Sequence, residues 1–185
     1  VMSAKEAVFA FVSEVVPNDT VIASTTSTFL VTELAKFVRS PERFMNAHWL
    51  NPAHLMPLVE ISKSEQTSTE AVTQLRTSLE ALGKKTVVCN ASPGYIVPRI
   101  QALAMNEAAR LLEEGVASAE DIDRAIHYGF GPRFAILGLL EFIDWGGGDI
   151  LYHASNYLSK AVGARYQAPE IVVENMQQGR NGLRD

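Results

Sequence analysis

Apolar positions recur at helical spacing over residues 2–16, where Val8, Phe9, Phe11, Val12, Val15 and Val16 fall on one face and Ser3 with Glu6 forms a capping-box pattern. The pattern stops at "PND", 17–19, and a short β-branched run follows, "TVIAS" at 20–24, which predicts a buried strand. Hydroxyl side chains crowd the next segment, "STTSTF" at 24–29, directly before the helical "LVTELAKFV". The plain reading is that they cap that helix; the other is that they face a ligand, because open parallel sheets bind at strand ends.

After Pro41 the runs "RFMNAHW" and "PLVEIS" predict two neighbouring strands joined by the turn-like "LNPAHLM". A helix over 68–82 follows, capped by Thr67 or Ser68 and closed by Gly83, and then the strand "KTVVCN". Beyond "ASPGY", 91–95, the pattern turns wholly helical. Residues 99–114 stop at Gly115, Ser118 opens "SAEDIDRAIHYG", a further helix starts at Asp149, and another lies between Pro169 and Gly179. The expected fold class is α/β followed by all-α, divided as residues 1–91 and 92–185.

The helical part carries apolar residues on more than one side, as in "FAILGLLEFI", 134–143, and "IQALAM", 100–105. So short a segment cannot cover that surface by itself, which predicts a homodimer built through these helices. With 185 residues, 47% of them apolar, the chain can form a substantial core. A net charge of −5 with interspersed signs argues against nucleic acid as a partner, and no stretch approaches the length of a membrane helix. The single cysteine, Cys89, fits a reducing compartment, so the expected location is the cytoplasm.

Against this background His48, Asn51, His54 and Glu60 are unusual, since they sit in or between two apolar strands. Side-by-side pairing of the strands would bring His48 to Glu60. A carboxylate on one ring nitrogen fixes the tautomer and supports the imidazolium formed when the other nitrogen accepts a proton. Such a pair is either a structural hydrogen bond or a general base with its orienter, and Ser27 is a candidate to hold a substrate oxygen. The spacing of His48, His54 and Glu60 matches no helical metal motif, and no "GxSxG" elbow surrounds Ser27. His127 and His153 read as structural or solvated, and Trp49 and Trp145 as core or interface aromatics.

The segments "IASTTSTFLVTELA", "PERFMNAHWLNPAHLMPLVEIS", "TS" at 67–68, "LGKKTVVCNASPGYIVPRI" and "EGVASAEDID" occur in one unbroken succession. Together they resemble the 3-hydroxyacyl-CoA dehydrogenases, and "GFGPRFAILGLLEFIDWGG", 129–147, is similar to their lambda-crystallin-like branch. The resemblance implies a Rossmann-type NAD-binding domain, here its C-terminal part, followed by a helical substrate and dimerisation domain. It implies NAD as cofactor and a small-molecule substrate, an acyl-CoA, whose secondary alcohol is oxidised. His48 of "HxxNP" would take the hydroxyl proton, Glu60 would orient it, Ser27 would hold the substrate oxygen with Asn51 as a further substrate contact, and Thr25, Ser27 and Asn51 would lie beside the nicotinamide. Three departures accompany the resemblance. Thr25 stands where the family's "SNTSS" has asparagine, Pro98 replaces the asparagine of "GFIxNR", and no "GxGxxG" turn occurs. The chain is therefore expected to be an internal fragment that binds NAD weakly. A dehydrogenase of a free β-hydroxy acid and a non-catalytic, crystallin-like structural protein are the alternative expectations.

Overall fold

The computed structural model describes residues 2–184, which form two compact units, residues 2–107 and 108–184. The first opens with helix α1, Met2–Val15, and strand β1, Ile22–Ser24, followed by the short helix α2, Val31–Leu34, and two 3₁₀ turns, 35–37 and 41–43. Strands β2, Phe44–Trp49, and β3, Leu58–Lys63, come next, then helix α3, Thr69–Ala81, strand β4, Lys85–Asn90, and helix α4, Val97–Glu113. The strands form one mixed sheet in the order β1-β2-β3-β4. β1 runs parallel to β2 and β3 parallel to β4, whereas β2 and β3 are antiparallel with His48 opposite Glu60.

Side chains alternate across β2, so its two faces do different work. Met45 and Ala47 point with Val59 and Ile61 into a core closed by Ala71 and Leu79 of α3. α3 begins where it should, because the Ser68 hydroxyl accepts the N–H of Ala71, 3.1 Å, and it ends at Gly83, whose φ of +80° suits a residue with no Cβ. On the opposite face Phe44 packs with Ile22, Val31, Leu34 and Phe9, the two phenyl rings meeting edge-on at 5.0 Å. Farther along β2 this face turns polar, and Ser24, Asn46, Ser62 and Cys89 form one row across all four strands.

A buried cation ties α1 to this sheet. The Arg43 guanidinium donates to the carbonyl of Ser13, 3.0 Å, in the last turn of α1 where carbonyls lack helical partners, and to those of Thr20, 3.3 Å, and Pro17 in the turn that follows. α1 itself departs from the expected face. Phe9, Val12 and Val16 pack inward, whereas Val8, Phe11 and Val15 are exposed. Ser3 already lies inside the helix and so is not its N-cap. The hydroxyls before α2 do not cap it either, because its N-cap is Leu30, whose N–H is held by the Glu33 carboxylate, 3.2 Å.

The second unit holds α5, Ala119–Ala125, α6, Gly131–Ile136, α7, Leu139–Gly146, α8, Gly148–Ala161, and α9, Glu170–Gln177. Ser118 caps α5 by accepting the Asp121 N–H, 3.1 Å. α8 begins one residue before Asp149, and Pro169 is the N-cap of α9 rather than its first helical residue. Residues 180–184 are stitched onto these helices. Asn181 receives the N–H groups of Gly148 and Asp149, and Asp144 receives that of Leu183. Ile136, Trp145, Ile150 and Tyr157 are exposed, so Trp145 is not a core residue within this unit. Among the described residues no helix is long and apolar enough to cross a membrane.

Candidate active site

His48 and Glu60 face each other because β2 and β3 pair antiparallel in this register. His48 Nδ1 lies 2.9 Å from Glu60 Oε2, with His48 5% exposed and Glu60 fully buried. The other carboxylate oxygen, Oε1, accepts the N–H groups of Ile96, 3.0 Å, and Val97, 2.9 Å, at the start of α4. The first turn of a helix has N–H groups without partners, and these two are satisfied by Glu60. Three donors therefore converge on one carboxylate, in hydrogen bonds strengthened by its charge. With the carboxylate accepting at Nδ1, the neutral imidazole keeps its lone pair on Nε2.

The ring of Tyr95 lies flat on the other side of His48, with centroids 4.7 Å apart and planes 11° from parallel. Tyr95 adopts a left-handed φ of +50°, an uncommon conformation for a residue with a large side chain, and it is buried. Its hydroxyl donates to the Thr26 carbonyl, 2.6 Å, and accepts from Asn46 Nδ2, 3.1 Å. Burial pushes that hydroxyl above its ordinary value, partly offset by the Asn46 bond. Burial likewise raises the Cys89 thiol, despite a bond to Ser62 that favours the thiolate.

Ser27 and Thr25 are exposed on the loop that follows β1, and Asn51 is exposed on the loop that follows β2. These loops leave the same end of the sheet, because β1 and β2 are parallel. The Thr26 hydroxyl accepts the N–H groups of Thr28 and Phe29, each at 3.2 Å, and so folds the chain tightly around Ser27. Lys5 of α1 reaches the same strand end, its ammonium 3.4 Å from the Ser24 hydroxyl. His54, His127 and His153 are exposed. Among the described residues no group of three or more His, Cys, Asp or Glu side chains stands close enough to hold a metal ion.

Tyr95, Asn46, Lys5 and the two α4 amides were not singled out from sequence. Asn46 had a signal, since it lies two residues before His48 on the same strand face. Tyr95 and the amides had none, because they return to the sheet from far along the chain, the amides from 36 and 37 residues beyond Glu60.

Comparison with known proteins adds a second, independent line. Residues 1–92 match the family model described as "3-hydroxyacyl-CoA dehydrogenase, NAD binding domain", and residues 94–185 match "3-hydroxyacyl-CoA dehydrogenase, C-terminal domain". Among curated relatives, the chain is 29% identical over 99% of its length to 5-formyl-3-hydroxy-2-methylpyridine 4-carboxylate 5-dehydrogenase of Mesorhizobium japonicum, covering 60% of that protein. It is 38% identical over 80% of its length to 3-hydroxyadipyl-CoA dehydrogenase of Escherichia coli, covering 31% of that protein. The chain thus spans between about a third and three fifths of these relatives. A crystal structure of a 3-hydroxyacyl-CoA dehydrogenase from Archaeoglobus fulgidus superposes with a TM-score of 0.84 at 36% identity, over 98% of this chain and 63% of that one. Fold and sequence thus converge, and the chain belongs to the 3-hydroxyacyl-CoA dehydrogenase family.

Proposed function

We propose that the protein containing this chain is an NAD-dependent dehydrogenase that interconverts a 3-hydroxyacyl-CoA and its 3-keto counterpart, with His48 as the base. The observation that carries the reading is the buried His48–Glu60 pair with its ring face covered by Tyr95, beside a strand end that exposes hydroxyl groups. The fit of NAD rests on the carboxyl end of β1, where Lys5, Ser24 and Thr25 line a shallow cavity. Those groups suit the nicotinamide end of the cofactor; the chain has no "GxGxxG" turn for its pyrophosphate. When bound, NAD supplies the acceptor for hydride.

In the oxidative direction His48 Nε2 accepts the proton of the substrate hydroxyl. Glu60 keeps the imidazole oriented through Nδ1 and supports the imidazolium that forms, itself held by the amides of Ile96 and Val97. Ser27 donates to the substrate oxygen as it becomes a carbonyl, and Asn51 shapes the site from the neighbouring loop. In reduction each role reverses. We further infer that residues 1–91 serve the cofactor and residues 92–185 the substrate and a homodimer contact. The exposed apolar side chains of α4 and α6–α8 support that contact. The single cysteine suits action in the cytoplasm.

A second reading keeps the chemistry and changes the substrate to a free hydroxy acid. It is favoured by the Mesorhizobium relative, whose name specifies a carboxylate and which the chain matches over 99% of its length. Pro98, which offers neither a side-chain donor nor an N–H in the first turn of α4, points the same way. The test is NADH oxidation by the full-length protein with acetoacetyl-CoA and, separately, with free β-keto acids. Turnover of the thioester that disappears in His48→Ala establishes the first reading. Turnover confined to the free acids establishes the second, and turnover that survives His48→Ala refutes both.

A further inference from the structure

The turn carrying Ser27 is pinned on both sides by one pair of buried residues. Asn46, 1% exposed, uses one N–H of its amide on the Phe29 carbonyl, 3.0 Å, and the other on the Tyr95 hydroxyl. A carbonyl can only accept, so Phe29 fixes which way the Asn46 amide faces. The Tyr95 hydroxyl is then obliged to accept from Asn46 and to donate to the Thr26 carbonyl. Thr26 and Phe29 bracket Ser27, and the Thr26 hydroxyl closes the turn between them. The same Tyr95 side chain lies flat on the His48 imidazole. Its ring therefore sets one partner of the reaction and its hydroxyl sets the other.

We propose that Tyr95, with Asn46, is a positioning residue that fixes the Ser27 hydroxyl relative to the His48 imidazole. The inference rests on the reading of His48 as base and Ser27 as the holder of the substrate oxygen. The physical ground is that a proton acceptor and a hydrogen-bond donor must meet one substrate oxygen from two sides, so small displacements between them are felt in rate. Loops such as 25–30 do not hold such tolerances unaided. Here two buried side chains from β2 and from the β4–α4 connection hold the loop by its backbone, leaving the Ser27 side chain free and exposed.

The test is a double-mutant cycle in the full-length protein with Tyr95→Phe, which keeps the ring and removes the hydroxyl, and Ser27→Ala. The expected result is that Tyr95→Phe lowers kcat/KM about tenfold in the parent and less than about twofold when Ser27 is already alanine, the order expected for one lost positioning hydrogen bond. A purely structural tyrosine would give the same fold-loss in both backgrounds, and that additivity overturns the proposal. His48→Ala distinguishes the two levels. Loss of turnover in His48→Ala together with additivity of the other two overturns this inference alone, whereas turnover that survives His48→Ala overturns it with the reading beneath. A measurement independent of activity accompanies the cycle. Amide hydrogen exchange at Thr28 and Phe29 is expected to accelerate at least about tenfold in Tyr95→Phe, while amides of β3 stay unchanged. Unchanged exchange at both positions also overturns the proposal.

Discussion

Oε2 of Glu60 stands 2.9 Å from Nδ1 of His48, and Oε1 of the same side chain holds the first free amides of α4. One carboxylate thus sets the orientation of an imidazole and satisfies a helix start. Glu60 is fully buried, so water cannot replace a partner that is removed.

Glu60→Gln separates these two tasks. The amide oxygen is expected to stay with Ile96 and Val97, which can only donate, so the amide NH₂ faces His48 Nδ1. Nδ1 must then accept, which moves the ring proton to Nε2 and leaves that nitrogen unable to take the proton the proposed function assigns to it. We expect the fold to persist and kcat of the full-length protein to fall by about 10²- to 10⁴-fold. Nitrogen-15 shifts of the His48 ring, recorded on this chain, check the tautomer directly; an unchanged ring with full activity contradicts the assignment.

Glu60→Ala is expected to do more damage to stability. It strands two backbone amides and an imidazole N–H in a buried site, at a cost of about 3 kcal/mol. Denaturant unfolding of the 185-residue chain measures it, and a loss below about 1 kcal/mol argues that the three bonds are not formed together.

Binding of NAD to this chain alone is expected to be weak, with a Kd above about 100 μM, since no glycine-rich turn is present to receive the pyrophosphate. Calorimetric titration decides it. Micromolar binding means that the strand-end groups Lys5, Ser24 and Thr25 do more than suit the nicotinamide.

Stability at alkaline pH follows from Tyr95. Its hydroxyl sits above the ordinary value of 10.0, first through burial and further through the nearby Cys89 and Glu60. A raised folded value means that the unfolded chain loses this proton first as pH rises. The contribution is fully present below about pH 10 and is lost as pH climbs through the folded value. Tyr95→Phe cannot ionise there, so its unfolding free energy is expected to fall less steeply between about pH 9 and 11 than that of the parent. Parallel slopes in denaturant titrations exclude the effect.

In the helical unit Gly147 has φ +98°, and an added Cβ would collide with Asp149 Oδ1 and stand 2.9 Å from Asn181 Nδ2. Gly147→Ala is expected to destabilise this unit by about 1–3 kcal/mol and to loosen residues 181–184. Thermal unfolding and hydrogen exchange at Leu183 provide the check.

Much of the first unit was legible because its signals are local. "RFMNAHW" and "PLVEIS" became β2 and β3 within a residue, Ser68 and Gly83 bound α3, and the His48–Glu60 contact follows from pairing those two strands. Local signals also misled. Ser3 and Glu6 have capping spacing but the helix already runs at Met2, and the hydroxyls of Ser24 and Thr26 accept N–H groups of their own turn instead of capping α2. α4 begins at Val97, before the expected residue 99, because Glu60 supplies a cap from another strand. That contact, and the Tyr95 stack, have no periodicity to betray them.

The strip from Ala91 to Val97 leaves β4 and turns back to reach the middle of β3, where its amides meet Glu60. Its span is fixed at both ends, by the Ala91 N–H on the Lys63 carbonyl and by those amides. Inserting or deleting a single residue there would swing Tyr95 off the imidazole and turn the amides away from the carboxylate. The length of this connector, and not only its composition, thus sets how the imidazole and the carboxylate are held.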